Sequence, residues 1–223
     1  MGKQFTLTTS DAHKLGGYRA DPAGKPKGGL VVIQEIFGVN HHIRAVCDRL
    51  ANEGYVAVAP AMFDRFKPNF ESGYTPDEIA SARALMGNLN WDAAMKDVEA
   101  ALGDIKSIGA CGVIGFCFGG SVSFLAACRV NGLKAAICYY GGTIAKNADE
   151  KPKCPVQMHF GEKDAGIPLS DVETIKQKQP QAEVYVYKDA QHGFHCDERA
   201  SFQKEAAGVA WKRSMEFLAK HLK

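Results

Sequence analysis

The chain has 223 residues, 46% of them hydrophobic, and a formal net charge of +2 from 27 basic and 25 acidic side chains. That length can bury a sizeable core, and the composition is globular, which excludes a disordered or fibrous chain. A near-neutral balance without a Lys/Arg stripe gives no electrostatic basis for binding nucleic acid or an anionic membrane.

Leu30–Ile33 reads as a buried central strand, apolar on both faces. Ile43, Val46, Cys47, Leu50 and Ala51 then recur at helical spacing, with Gly54 placed to end that helix. Tyr55–Ala59 is a strand stopped by Pro60, and 61–75 is a loop rich in Phe, Pro and Gly. Thr75, Pro76 and Glu78 form a helix start with a capping box, predicting a helix to about Met86. A second helix is expected over Trp91–Ile105. Gly112–Phe116 is a strand, Ser121–Arg129 a helix, and Ala135–Tyr140 and Val156–Phe160 are strands. Val172–Gln179 is helical, Val184–Tyr187 is the last strand, and Phe202–Leu222 is a closing helix. This alternation predicts an α/β fold, a mostly parallel sheet with helices on both faces, as one domain over 1–223.

Seven cysteines, an odd number without a Cys-x-x-Cys pair, suggest free thiols rather than a disulfide framework or a zinc site. A reducing, cytoplasmic setting is therefore expected. The opening MGKQFTLTTSD lacks the apolar core of a signal peptide, and Gly2 with Thr6 matches a myristoylation pattern only loosely. Ser107–Cys128 is free of charge and long enough to span a bilayer. Its order of strand, Gly-rich turn and helix instead reads as the centre of a sheet protein, so no membrane partner is expected.

Gly115-Phe116-Cys117-Phe118-Gly119-Gly120 lies between a buried strand and an apolar helix. It has the layout of a nucleophile elbow, with Cys in the usual Ser place. Small neighbours permit the tight turn, and the helix N-terminus favours a thiolate. A structural Cys in a Gly-rich turn is the competing reading. The glycine spacing fits neither the dinucleotide fingerprint nor the Walker A loop, which also needs a Lys. His192, after the last strand, and Asp164, after the strand ending at Phe160, complete the order nucleophile, acid, His that α/β-hydrolases require.

Among the other histidines, His41-His42 reads as a solvated helix start and His159 as packed. His195 has no placed partner, and His13 and His221 read as exposed. No ligand spacing suggests a metal, and no cofactor is expected. Glu35 ends an apolar strand, either because the chain has reached solvent there or because a carboxylate faces the cleft of Cys117.

Together, Gln34-Glu35-Ile36-Phe37-Gly38-Val39-Asn40, the Cys117 elbow, Gly161-Glu162-Lys163-Asp164 and His192-Gly193-Phe194 resemble the dienelactone hydrolase (carboxymethylenebutenolidase) family, from about Leu30 to Leu218. The resemblance implies an α/β-hydrolase fold, a Cys117–His192–Asp164 triad, and an oxyanion hole from the N–H groups of Ile36 and Phe118. It also implies that Glu35 holds the resting thiol and responds to substrate. Asp97 and Glu99 match a family segment read as structural. Two family arginines for a substrate carboxylate are displaced: one position holds Ile79, with Arg83 a turn later, and the other holds Cys196, with Arg199 three residues on. The implied substrate is a small ester or lactone, with the oligomeric state, monomer or weak dimer, left open. The other readings are a cysteine glyoxalase-, deglycase- or amidotransferase-like enzyme that pairs an elbow Cys with Glu and His, and a noncatalytic binding protein on the same scaffold.

Overall fold

A computed structural model describes residues 2–223. Its centre is an eight-stranded sheet in the order β1-β2-β4-β3-β5-β6-β7-β8. The strands are β1 (Lys3–Thr8), β2 (Lys14–Ala20), β3 (Gly29–Ile33), β4 (Val56–Pro60), β5 (Cys111–Phe116), β6 (Leu133–Tyr139), β7 (Val156–Gly161) and β8 (Glu183–Tyr187). The helices are α1 (His41–Asn52), α2 (Pro76–Leu85), α3 (Trp91–Ile105), α4 (Phe118–Arg129), α5 (Leu169–Lys178) and α6 (Lys204–His221). All strands from β3 onward pair in parallel, whereas β2 is antiparallel to both β1 and β4. The expected α/β architecture is thus present.

The central strands are apolar on both faces because helices cover both. β3, β4 and β5 are buried at every position. The predicted capping box of α2 forms: Thr75 Oγ1 accepts from Glu78 N, and Glu78 Oε2 accepts from Thr75 N at 3.0 Å. Gly54 ends α1 with φ +97°, and α3 spans the predicted residues. α4 begins at Phe118, three residues before its predicted start, so Cys117 is the residue at its N-terminus. The β1–β2 hairpin is an addition to the predicted elements. Its core contacts rest on few apolar residues, including Leu7, Leu15 and Tyr18. The 61–75 loop also contains a short 3₁₀ helix, Met62–Arg65.

Candidate active site

Cys117 sits at the carboxyl end of β5, where ligands gather in open parallel sheets. Its backbone is forced into φ +55°, ψ −115°, a strained conformation for a residue with a side chain. Two features fix it there. Cys117 N donates to Tyr139 O at 3.0 Å on the neighbouring strand, and Cys117 O accepts from Gly120 N at 3.0 Å. The flanking glycines are required by close approach. A Cβ on Gly115 would strike Gly119 O, and one on Gly119 would strike the carbonyls of Ile33 and Gln34. β5, the first turn of α4 and the end of β3 are therefore pressed together, bringing the segment after β3 up to the elbow.

The acid and base come from two loops tied to each other. Glu162 N donates to Tyr187 O at 2.9 Å, and Lys163 N to Ala190 O at 2.8 Å. This brings the turn after β7 against the turn after β8, and His192 Nδ1 lies 2.7 Å from Asp164 Oδ2. Asp164 is buried, and its other oxygen accepts from Gly166 N at 2.9 Å, so the carboxylate cannot swing away. Burial works against a charged His192 ring. The Cys117 side chain, by charge and hydrogen bonding, and Asp164 outweigh it and push His192 up to about 10. Cys117, His192 and Asp164 are thus brought together.

The Ile36 and Phe118 N–H groups have no hydrogen-bond acceptor among the described residues. The ring of Phe118 packs on Phe63 and Trp91, and helps line a cavity of ≈ 240 Å³ together with Met62, Phe66 and Leu89.

Glu35 is 1% exposed, so it has not reached solvent. The contact it makes is with a guanidinium. Its Oε1 accepts from Arg199 Nη1 at 3.0 Å, no hydrogen bond joins it to Cys117 among the described residues, and Oε2 has no partner. A guanidinium at contact distance is the stronger attraction for a buried carboxylate. Arg199 is thereby drawn inward, across the rings of Phe37 and Tyr74, with centroid distances of 5.7 and 5.8 Å. Arg83 is different. It stands exposed on α2 with no ion pair among the described residues, while Ala82 beside it takes the buried face. The structure does not bring Arg83 to the triad.

The remaining histidines sort by packing. His159 is buried between Tyr187 and Gln157, and burial pushes it down to about 3. His195 has a partner after all: its Nε2 lies 2.9 Å from Arg49 Nη2, and its ring stacks on Phe116 and Trp211. Burial and Arg49 hold it well below the usual imidazole range, so it stays neutral. His13 and His221 are half-buried rather than exposed. His42, expected in solvent, is buried, because α1 turns it toward Phe116 and His195. It joins Glu35 and Cys196, and each of the three offers an atom within 4.8 Å of the others. The absence of ligand spacing in the sequence could not reveal this set, since tertiary packing alone assembles it. The buried Asp97 meets the half-buried Arg65 at 2.8 Å, consistent with a structural role.

Comparison with known proteins settles the family. The model of the dienelactone hydrolase family matches residues 15–222. The chain belongs to that family. A carboxymethylenebutenolidase of Pseudomonas putida is 30% identical over 227 residues, covering 96% of this chain and 95% of that protein. A Synechocystis protein, provisionally named a carboxymethylenebutenolidase, is 37% identical and covers 94% of this chain and 93% of its own length. The crystal structure of a Klebsiella pneumoniae protein, provisionally named a dienelactone hydrolase, superposes with a TM-score of 0.86 at 30% identity, over 98% of this chain and all of that one. This dienelactone hydrolase family member is therefore a hydrolase of the carboxymethylenebutenolidase kind with the α/β-hydrolase fold. Among the described residues no helix is long and apolar enough to cross a membrane.

Proposed function

We propose that the chain hydrolyses a lactone or carboxylic ester through a Cys117–His192–Asp164 triad and a thioester acyl-enzyme. The observation that carries this reading is the 2.7 Å Asp164–His192 contact beside an elbow cysteine whose side chain raises the His192 pKa. A charged His192 and the α4 N-terminus both place positive charge beside the attacking sulfur.

The Cys117 thiolate attacks the carbonyl carbon, and the oxyanion accepts hydrogen bonds from the Ile36 and Phe118 N–H groups. Collapse breaks the carbon–oxygen bond, and the enolate or alkoxide leaves with the proton of His192. His192, now neutral, takes a proton from water, which attacks the thioester. The carboxylic acid departs, Cys117 leaves as thiolate, and His192 is again protonated. Asp164 holds the imidazole in orientation throughout. Arg199, already inside the cleft, is the cation that meets a substrate carboxylate, exchanging Glu35 for it. Glu35, so released, supplies a charge that responds to substrate.

The Asp164 contact favours this triad over a glyoxalase- or amidotransferase-like Cys–Glu–His arrangement, in which that carboxylate is unnecessary. Free Ile36 and Phe118 donors favour catalysis over binding alone. The test is a hydrolysis screen of dienelactones and aryl esters with purified chain. Turnover is expected for the wild type and none for Cys117→Ala. Full activity in that variant would remove the nucleophile from this mechanism.

A further inference from the structure

We propose that Glu35, His42 and Cys196 form a site for a thiophilic divalent cation such as Zn²⁺, placed so that the metal switches the hydrolase off. The three side chains come from the segment after β3, from the first turn of α1 and from the loop after His192. All three are buried, with exposures of 1%, 3% and 0%. Their candidate ligand atoms lie within 4.8 Å of one another. Tetrahedral zinc with bonds of about 2.0–2.3 Å sets its ligands roughly 3.5 Å apart, so closure requires movements of about 1 Å.

The second observation is the set of unused donors. Glu35 Oε2 and His42 Nε2 are buried without any partner. Burying a polar atom unpaired is costly, and such atoms call for a partner. A cation satisfies both at once. The surroundings also suit it. His42 Nδ1 faces Asp197 Oδ1 at 3.3 Å, leaving Nε2 for the metal in a carboxylate–histidine–metal arrangement. Glu35 Oε1 keeps Arg199 while Oε2 turns to the cation. The Cys196 thiol now donates to the Tyr74 hydroxyl at 3.3 Å. On metal binding its proton is released to solvent, and the Tyr74 hydroxyl turns to donate to the thiolate. Sulfur, imidazole and carboxylate together select zinc-like ions over Mg²⁺ or Ca²⁺.

The inhibitory consequence rests on the function proposed above: a metal on Oε2 pins Glu35, beside the Ile36 N–H, and stops its release. The site itself stands apart from that reading. The test is titration of the full-length, metal-stripped, reduced chain with Co²⁺, read by optical absorption. One equivalent should bind with a thiolate-to-cobalt charge-transfer band and tetrahedral d–d bands, be displaced by Zn²⁺, and remain in Cys117→Ala. The band should vanish in Cys196→Ala and His42→Phe, each checked for folding by circular dichroism, and Asp197→Asn should weaken Co²⁺ about 10- to 100-fold. No thiolate band in the wild type, or a band lost in Cys117→Ala and kept in Cys196→Ala, would overturn the site. With aryl ester, Zn²⁺ should inhibit the wild type at least tenfold and spare His42→Phe. Zinc bound at this site without inhibition would overturn the switch, and a chain with no esterase activity that still shows the cobalt signature would sink the hydrolase reading while leaving the metal site intact.

Discussion

Asp164→Asn is the most informative perturbation of the proposed triad. The carboxylate is buried, and its two oxygens have separate tasks, one taking Gly166 N at 2.9 Å and the other His192 Nδ1 at 2.7 Å. Asparagine preserves the shape and the Gly166 bond, so the chain should still fold, at a cost of about 1.5–3 kcal/mol for the lost charged contact to His192. What it removes is a charged acceptor for the His192 ring. A hydrogen bond to a charged group contributes about 1.5–3 kcal/mol. That alone lowers the rate about 10- to 150-fold. Loss of ring orientation and tautomer control extends the loss toward about 10⁴. The expected fall in kcat/KM is therefore about 10²- to 10⁴-fold, measured by steady-state hydrolysis of an aryl ester with melting curves as the folding control. In the same variant the His192 pKa, followed by NMR, should drop from its raised value near 10 toward 6.5. A folded Asp164→Asn chain with near wild-type kcat/KM and an unmoved His192 would refute the reasoning and favour a Cys–Glu–His enzyme.

Three further outcomes follow from the same geometry. Arg199→Leu should destabilise the chain by about 3–5 kcal/mol in urea unfolding because it leaves the Glu35 carboxylate buried and unpaired; adding Glu35→Gln should recover most of that loss. Gly119→Ala should cost about 1–3 kcal/mol or more, since its Cβ meets backbone that cannot yield, whereas Gly103→Ala, in open space on α3, should gain about 0.5–1 kcal/mol, both read by thermal and urea unfolding. His192 is held above its ordinary 6.5 at about 10, so the fold favours its protonated form. Its stabilising contribution is complete below pH 6.5 and is lost as pH rises through about 10. The stability gap between the wild type and His192→Gln should accordingly narrow over that window in urea titrations.

Much of this site was legible in the chain because its parts are local. The Gly115–Gly120 turn carries its own steric reason, and Asp164 and His192 each follow a strand recognisable from a short apolar run. The hairpin of β1 and β2 was not, because KQFTLT and KLGGYRA carry few apolar residues and a Gly-Gly pair that weakens any strand signal. Glu35 is anomalous in the sequence, yet its partner is hidden there: Arg199 lies 164 residues away, and only the fold chooses it over the thiol. The burial of His42 is hidden for the same reason. A histidine pair at a helix start ordinarily faces water, and nothing local indicates that one ring turns inward to Cys196. Arg83 shows the converse, since a cation one turn from the family position stands exposed on α2 while Ala82 beside it is buried.

The central claim is covalent: Cys117 carries the acyl group. Rapid quenching of the wild type with an activated aryl ester, followed by mass spectrometry of the digested chain, tests it most directly. The account predicts one acyl group per chain, located on Cys117 and removable by hydroxylamine, and absent from Cys117→Ala. Turnover of the ester with no adduct at Cys117, or with the acyl group on another residue, would contradict it.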